Sequence, residues 1–366
     1  MTYHEQGVEL PLELKPPRIV ERPPKSGVFV RLDDSYLRAI VYIGVKRPGD
    51  ATEIDTHGTG FLVSHEGHSY IVTAAHVAVD FDDGPMDVRL NREDNGLGGI
   101  VSIDTAKWHY HPTDKTVDVA VMPFETPTWA RVVHHPSKSF ATEFKIGTKD
   151  FGAGDLAYVV GIFNKLRGTG KNVPFVHTGH IASMGQGESV TTEYWWLDGK
   201  EKSIEINGYL VQVTTLPESS GSPVFVRRSL KGLAPEPGFK PPEGAKPGDK
   251  INVPMVRAWR YGSVWLLGLW HGHWTTEERN VIVGDDMGIC VPVPRILEVL
   301  NSEELKRMRQ ESDQLAKSKN AITQLSKSKS MSGDDILRAA LNTAPTPRVK
   351  PKAKSAKRGR AGVNKK

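Results

Sequence analysis

Three short stretches of the sequence carry residues that are capable of acyl-transfer chemistry. The stretch TAAHV places His76 just after an apolar segment, VDVAVMPF places Asp118 at the entry of another, and SSGSPVF places Ser220 before Gly-Ser-Pro. Burying the carboxylate of Asp118 without a partner would be very costly. Nucleophilic attack by a serine requires a base, a group that orients the base, and N–H groups that face an oxyanion. The sequence therefore contains the residue types that serine-based acyl transfer needs.

The two adjacent serines of the third stretch differ in their surroundings. Both can form side-chain hydrogen bonds that stabilise a turn. Only Ser220 directly precedes Gly221, which can adopt backbone conformations that other residues avoid. We therefore predict that Ser220 is the reactive serine and that Ser219 is a turn residue.

Two series of short apolar segments must position these residues. The segments are rich in β-branched residues and are separated by Gly, Asp, Asn or Pro, which is typical of strands. The first series comprises residues 36–45, 58–64, 69–77, 86–91 and 117–124. The second comprises residues 156–163, 175–184, 208–215, 222–228, 263–270 and 287–293. The pattern predicts an all-β protein with two packed barrels or sandwiches.

The segments outside these series predict other kinds of structure. Residues 1–30 are polar and Pro-rich, which predicts an extended N-terminal arm. Residues 231–254 predict an irregular loop, because Pro and Gly are frequent there. Apolar residues at helical spacing after Pro294 predict a helix with Ser302 near its start. A second short helix is predicted at 332–344.

Charge and cysteine content limit the expected compartment and partners. The 366-residue chain has a formal net charge of +5, but residues 344–366 carry nine basic residues and no acidic one. The basic charge thus belongs to a tail that we predict to be disordered. Cys290 is the only cysteine, no apolar run approaches membrane-spanning length, and the N-terminus lacks a signal-peptide pattern. We therefore expect a cytoplasmic protein without a membrane span.

Several motifs occur together in one order: GTGFLV, YIVTAAHV, DVAVMPF, SSGSPVF, WLLGLWHGH and GICVPVPRILEVL. In these motifs the chain resembles the chymotrypsin-like serine peptidases, in the cysteine-poor trypsin-like form that is common in bacteria. The resemblance implies two six-stranded antiparallel β-barrels, a catalytic cleft between them and a C-terminal helix. It places the peptidase domain at residues 31–300, with the barrels at about 31–135 and 150–300. Residues 301–343 would form a helical extension before the basic tail.

The resemblance also implies roles for individual residues and no cofactor. His76 would be the general base and then the general acid, Asp118 would orient it, and Ser220 would be the nucleophile attacking a protein or peptide substrate. The backbone amides of Glu218 and Ser220 would form the oxyanion hole. The residues that would line the primary specificity pocket are Thr214, His271, Gly272, His273 and Gly288. Since Thr214 is neutral, this pocket would lack the carboxylate that selects Lys and Arg side chains.

Two positions depart from the family pattern. Glu218 stands where the family usually has Gly. A left-handed backbone at this glutamate would cost about 1 to 2 kcal/mol, and a missing oxyanion donor would cost about 10²–10³ in turnover. Ser219 stands where zymogen-activated members have an aspartate that pairs with a newly cut N-terminus. We therefore expect no activation by that route.

Three functions are compatible with these patterns. The first is a cytoplasmic serine endopeptidase that works through an acyl-enzyme. The alternative is a catalytically weak or inactive peptide-binding effector of the same fold, in which Glu218 keeps the oxyanion hole collapsed and a regulatory partner acts on it. In the third, the basic tail contacts nucleic acid or an anionic surface, and the barrels are a scaffold.

Three pairs of histidines could be metal ligands, but ordinary surface or core roles are the favoured interpretation. The pairs are His109 with His111, His134 with His135, and His271 with His273. No cysteine or carboxylate stands at a spacing that would complete a structural metal site with them. We therefore expect no metal ion.

Overall fold

The computed structural model describes most of the region in which the strands were predicted. The described residues are 31–50, 52–79, 86–94, 96–142, 151–163, 170–185, 190–195, 201–214, 219–235, 255–274, 276–278, 281–283 and 286–327. The chain divides into two compact units, residues 1–305 and 306–366. The predicted N-terminal arm, the predicted second short helix and the basic tail lie outside the described residues.

An open sheet forms the N-terminal half of the first unit. Its strands are β1 (Ile40–Lys46), β2 (Ile54–His65), β3 (His68–Thr73), β4 (Met86–Leu90), β5 (Gly99–Ile103), β6 (His109–Tyr110), β7 (Ala120–Pro123) and β8 (His135–Pro136). Within the described ranges the strand order is β5-β4-β1-β2-β3-β7-β6, and β8 pairs in parallel with β2. Two short helices, α1 (Asp34–Leu37) and α2 (Ala75–Val79), belong to the same half.

This sheet differs from the closed six-stranded barrel that the sequence predicted. It has eight strands, and over the residues that the structure describes it does not close. A 3-10 turn at Thr105–Lys107 joins β5 directly to β6, and the buried indole of Trp108 follows it. The indole Nε1 of Trp108 donates to Sδ of Met86 on β4, at 3.2 Å. Trp108 thus packs the chain just before β6 against β4 through a side-chain contact. A closed barrel would instead have a ladder of main-chain hydrogen bonds between the end strands β5 and β6.

A closed six-stranded barrel forms the second half of the unit, as predicted. The strands of this half are β9 (Leu156–Gly161), β10 (Phe175–Ser183), β11 (Val190–Trp195), β12 (Glu201–Ile206), β13 (Tyr209–Gln212), β14 (Pro223–Pro235), β15 (Met255–His273), β16 (Thr276–Glu278), β17 (Val281–Val283) and β18 (Met287–Pro292). The barrel has the order β10-β13-β18-β15-β14-β9, closed by pairing of β9 with β10. The pairs β11–β12 and β16–β17 are separate hairpins.

Strands β14 and β15 extend farther than the sequence predicted. Residues 231–235, assigned above to an irregular loop, continue β14 and pair with the start of β15, from Lys231 opposite Trp259 to Pro235 opposite Met255. Proline is tolerated at the last position of a strand, where no further ladder bond is needed. The rest of the predicted loop, residues 236–254, lies outside the described residues.

Strand alternation divides the apolar side chains between two clusters. On β14, Val224 and Val226 lie inside the barrel, whereas Phe225 between them packs in the larger cluster that contains the first sheet. On β9, Val159 belongs to the barrel interior and Val160 to the larger cluster. The period of two thus lets one strand contribute to both cores, and it fixes how the two halves pack on each other.

The predicted C-terminal helix is present as α3 (Val293–Leu300), followed by α4 (Glu303–Lys327). Pro294 stands in the first turn of α3, where its missing N–H leaves no helical hydrogen bond unmade. The buried side chains of Ile296 and Val299 attach α3 to the larger cluster. In the part of the chain that the structure describes, neither these helices nor any other is long and apolar enough to cross a membrane.

A buried arginine connects the two halves of the first unit. Arg89 on β4 is 0% exposed, and its guanidinium donates from Nε to Asn172 Oδ1 at 2.9 Å and from an Nη to the carbonyl of Lys171 at 3.2 Å. It also lies 3.5 Å from a carboxylate oxygen of Glu53 and 4.9 Å from the ring centre of Tyr42. Lys171 and Asn172 precede β10 of the closed barrel. The guanidinium therefore has all of its partners only when both halves are in place.

Replacing Arg89 with Met should lower the free energy of unfolding by about 3 kcal/mol, because Asn172 and Glu53 lose a buried donor while the apolar volume is kept. Urea denaturation followed by tryptophan fluorescence measures this change. The matched control is Arg47→Met, since Arg47 forms an exposed pair with Asp55 and should hardly alter the midpoint. Equal midpoints for the two variants would contradict the connecting role of Arg89.

Candidate active site

The side chains of His76 and Asp118 meet in the first half of the unit. His76 lies in α2, three residues after the end of β3, and Asp118 lies two residues before β7. Asp118 Oδ2 accepts from His76 Nδ1 at 2.9 Å, and Oδ1 accepts from the backbone N–H of His76 at 3.0 Å. Asp118 is 0% exposed, whereas the His76 side chain is 22% exposed. The carboxylate thus holds both the backbone and the ring of a histidine that remains open to solvent.

A second histidine also contacts Asp118. His271 on β15 donates from Nδ1 to Asp118 Oδ2 at 2.6 Å, and its side chain is 5% exposed. The His76 and His271 rings meet edge to face, with their centres 5.4 Å apart. The resemblance placed His271 in the specificity pocket, whereas the structure places its ring on the carboxylate. No local sequence signal indicated this contact, because the pairing of β15 with β18 shifts register between Trp270 and Gly272 and regular side-chain alternation is interrupted at His271.

Electrostatics keep Asp118 ionised. Burial raises the pKa of this carboxyl, but attraction to His76 and the hydrogen bonds from both imidazoles lower it more, so that the pKa lies well below its ordinary value. An anionic Asp118 accepts hydrogen bonds and donates none. The Nδ1 atoms of His76 and His271 must therefore carry the protons, which leaves Nε2 of neutral His76 as a proton acceptor.

The Ser220 turn depends on the neighbouring glycine. The N–H of Ser222 donates to the carbonyl of Ser219 at 3.0 Å, and Gly221 between them has φ +81°. The third residue of such a turn favours Gly because a side chain resists positive φ. A Cβ at Gly221 would also lie 2.2 Å from the Thr59 carbonyl oxygen and 2.3 Å from Thr73 Oγ1. Both the backbone conformation and the available space therefore require glycine here.

Main-chain hydrogen bonds attach this turn to both halves of the unit. The N–H of Thr59 on β2 donates to the Ser220 carbonyl at 3.0 Å, and the N–H of Gly221 donates to the Trp270 carbonyl on β15 at 2.8 Å. The Ser220 hydroxyl donates to the His271 carbonyl at 3.0 Å. The reactive serine predicted from the sequence is thus bonded to the same residue whose ring contacts Asp118. Glu218 lies outside the described residues, so the structure describes only the Ser220 half of the predicted oxyanion hole.

Strand pairing brings other predicted pocket residues to one end of the barrel. Gly288 on β18 pairs with Val211 on one side and with His273 on the other. Thr214 is exposed just beyond the end of β13. A Cβ at Gly288 would lie 1.9 Å from the Trp270 ring. The buried Trp270 indole therefore occupies the space next to Gly288.

The only cluster of potential metal ligands among the described residues is formed by His76, Asp118 and His271, whose ligand atoms lie within 4.8 Å of one another. Both Nδ1 atoms are already hydrogen-bonded to the carboxylate, so a metal ion there would have to displace both protons. The other histidines considered above have contacts of different kinds. His111 lies 2.9 Å from Glu298, and His134 lies 3.0 Å from the Thr126 hydroxyl.

Several solved structures resemble the chain. The Rv3671c protease from M. tuberculosis in its active form is 16% identical, with 80% of this chain and 93% of that chain covered and a TM-score of 0.39. The serine endoprotease from Yersinia pestis is 16% identical, with 76% and 68% covered and a TM-score of 0.37. The HtrA-type protease AlgW with decapeptide is 14% identical, with 74% and 65% covered and a TM-score of 0.38. No curated protein matches the chain.

A family model matches the region that contains His76, Asp118 and Ser220. Residues 58–229 match the trypsin-like peptidase domain. This region includes His76, Asp118 and Ser220 in the order that the sequence motifs indicated. Residues 58–229 are therefore similar to a trypsin-like peptidase domain, which supports the resemblance to the chymotrypsin-like serine peptidases that the sequence motifs indicated.

Proposed function

We propose that this protein is a serine endopeptidase that hydrolyses peptide bonds through an acyl-enzyme, with Ser220 as nucleophile, His76 as general base and acid, and Asp118 as the orienting carboxylate. The observation that carries the proposal is the buried Asp118 carboxylate, which accepts both the Nδ1–H and the backbone N–H of His76. This contact leaves His76 Nε2 as the nitrogen able to receive a proton. His76 and Asp118 both lie in the region that matches the trypsin-like peptidase domain.

The proposed chemistry assigns each proton to an atom. Ser220 Oγ attacks the scissile carbonyl carbon while its proton passes to His76 Nε2, and the anionic Asp118 stabilises the imidazolium that results. His76 then gives the proton to the leaving amine as the C–N bond breaks. Water then attacks the acyl carbon while one of its protons passes to His76 Nε2, and His76 gives this proton to Ser220 Oγ as the bond between the acyl carbon and Oγ breaks. The backbone amides of Ser220 and Glu218 would stabilise the oxyanion of each tetrahedral intermediate.

One observation favours a second candidate, a weak or inactive peptide-binding protein of the same fold. The Ser220 hydroxyl donates to the His271 carbonyl, so its proton is directed away from His76. Before Ser220 can transfer its proton to His76, the hydroxyl must rotate and give up this acceptor. A protein partner or a bound peptide that favours the rotated state would then control activity.

The geometry of the barrel end supports a proposal about the substrate. The residues that we propose to line the primary pocket are Thr214, Gly272, His273 and Gly288, together with the main chain of His271, whose ring binds Asp118. Thr214 offers no negative charge, and the Trp270 indole fills the space beside Gly288. We therefore propose that the pocket accepts a small, uncharged side chain of a protein or peptide substrate. The single cysteine supports a cytoplasmic location for this activity.

Replacing Ser220 with Ala should abolish labelling by a fluorophosphonate probe, because the probe bonds to the activated serine oxygen. The measurement is probe incorporation into purified full-length protein, alone and with candidate partners. The matched control is Ser219→Ala, which should still be labelled. Undiminished labelling of the Ser220 variant would overturn the assignment, and an unlabelled natural protein under every condition would favour the peptide-binding candidate.

Replacing Gly221 with Ala should slow probe labelling at least about 100-fold, since the new methyl group displaces the turn from Thr59 and Thr73 and small displacements of reacting atoms cost that much. Gly67→Ala separates this effect from backbone strain alone. Gly67 has φ +83°, but nothing lies within 4 Å of the position that a methyl group there would take. Similar labelling rates for the two variants would contradict the steric explanation.

Cleavage of a peptide library should show a preference for small, uncharged residues such as Ala, Ser or Val on the acyl side of the cut bond. The reason is the neutral Thr214 together with the space taken by Trp270. Replacing Trp270 with Leu should increase cleavage after larger residues relative to cleavage after Ala. Predominant cleavage after Lys, Arg or Phe by the natural protein would contradict this pocket.

A further inference from the structure

Asp118 has a second imidazole donor that the proposed mechanism does not use. Its Oδ2 atom accepts from His76 Nδ1 at 2.9 Å and from His271 Nδ1 at 2.6 Å. The His271 side chain is 5% exposed, compared with 22% for His76. The shorter and more deeply buried of the two contacts is thus made by the histidine that is not the proposed base.

His271 also contacts the proposed nucleophile through its main chain. Its carbonyl oxygen accepts from the Ser220 hydroxyl at 3.0 Å. The residue before it, Trp270, accepts from the Gly221 N–H and donates from its own N–H to the Ser222 carbonyl, both at 2.8 Å. The backbone of β15 at this point is therefore fixed by the Ser220 turn, and the ring of His271 is fixed by Asp118.

We infer that His271 is a positioning residue of the catalytic site, holding Asp118 in place and sharing its negative charge between two imidazoles. This inference rests on the proposed function for its catalytic consequence. His271 transfers no proton and forms no covalent bond. Its effect on the reaction passes through Asp118 to His76, and through the β15 carbonyl to Ser220.

The sign of the effect follows from the shared oxygen. Two ionisable groups of the described residues contact the His271 ring, namely Asp118, before β7, and His76, in α2. The hydrogen bond from His271 Nδ1–H stabilises the Asp118 carboxylate. It thereby weakens the attraction of this carboxylate for a proton on His76. Without that hydrogen bond, the His76 imidazolium should hold its proton more tightly. The neutral ring, which acts as the base, should then form only at a higher pH than in the natural protein. A hydrogen bond to a charged group changes an equilibrium constant by a factor of about 10 to 100.

Two substitutions of similar polarity test this inference. In His271→Asn the amide N–H occupies the place of Nδ1, whereas in His271→Gln it occupies the place of Nε2 and the bond to Asp118 is lost. The readouts are the fluorophosphonate labelling rate against pH and the pH midpoint of the His76 ring C–H resonance in NMR. We expect the Gln variant to be labelled about 10- to 100-fold more slowly at neutral pH. The pH at which its labelling rate falls on the acidic side, and the midpoint of its His76 NMR titration, should both be higher than in the natural protein. The Asn variant should stay close to the natural protein.

The control is His180→Gln, since His180 is exposed on β10 and contacts neither Asp118 nor Ser220. It should leave both readouts unchanged. Equal NMR midpoints for the Asn and Gln variants would overturn the role of His271, even if the natural protein is labelled. Failure of labelling in the natural protein would instead remove the proposed function, while the NMR comparison would still decide the role of His271.

A measurement on the natural protein covers the case in which the Gln variant does not fold. Long-range ¹H–¹⁵N NMR distinguishes which ring nitrogen of each histidine carries a proton. The short contact with Asp118 predicts that His271 is protonated at Nδ1. A His271 ring protonated only at Nε2 would overturn the inference without any substitution.

Discussion

The buried negative charge of Asp118 is the constraint on which the site depends. An isolated carboxylate in the protein interior would be very unfavourable, so it requires donors in fixed positions. The structure provides three, namely the backbone N–H of His76, its Nδ1–H and the Nδ1–H of His271. Two of them come from α2 and one from β15. The carboxylate therefore has all three donors only when a helix of the first half and a strand of the second half are brought together.

The packing of the two halves explains why these donors meet. Strands β9 and β14 place alternate side chains in the barrel interior and in the cluster shared with the first sheet. The buried Arg89 adds a polar connection, because its hydrogen bonds reach from β4 to the residues before β10. Apolar burial brings the halves together without strict direction, whereas the charged contacts of Arg89 and Asp118 require one relative position.

The sequence predicted local features of the site better than its long-range contacts. The need for glycine at position 221 followed from the residue type, and the positive φ with its close neighbours agrees with it. The contact of His271 with Asp118 joins residues that are 153 positions apart, and no local pattern encodes which of two strand histidines turns toward a carboxylate. The open first sheet was missed for a related reason, since the packing of Trp108 on Met86 is a tertiary contact.

His271 links Asp118 and Ser220, the proposed orienting carboxylate and the proposed nucleophile, through opposite ends of one residue. Its ring binds Asp118 and its carbonyl accepts from Ser220, so a displacement of β15 would disturb both contacts together. The same strand continues to His273 and pairs with Gly288, which we propose to lie in the substrate pocket. The strand that would line this pocket therefore also holds the Ser220 hydroxyl, through the carbonyl of His271.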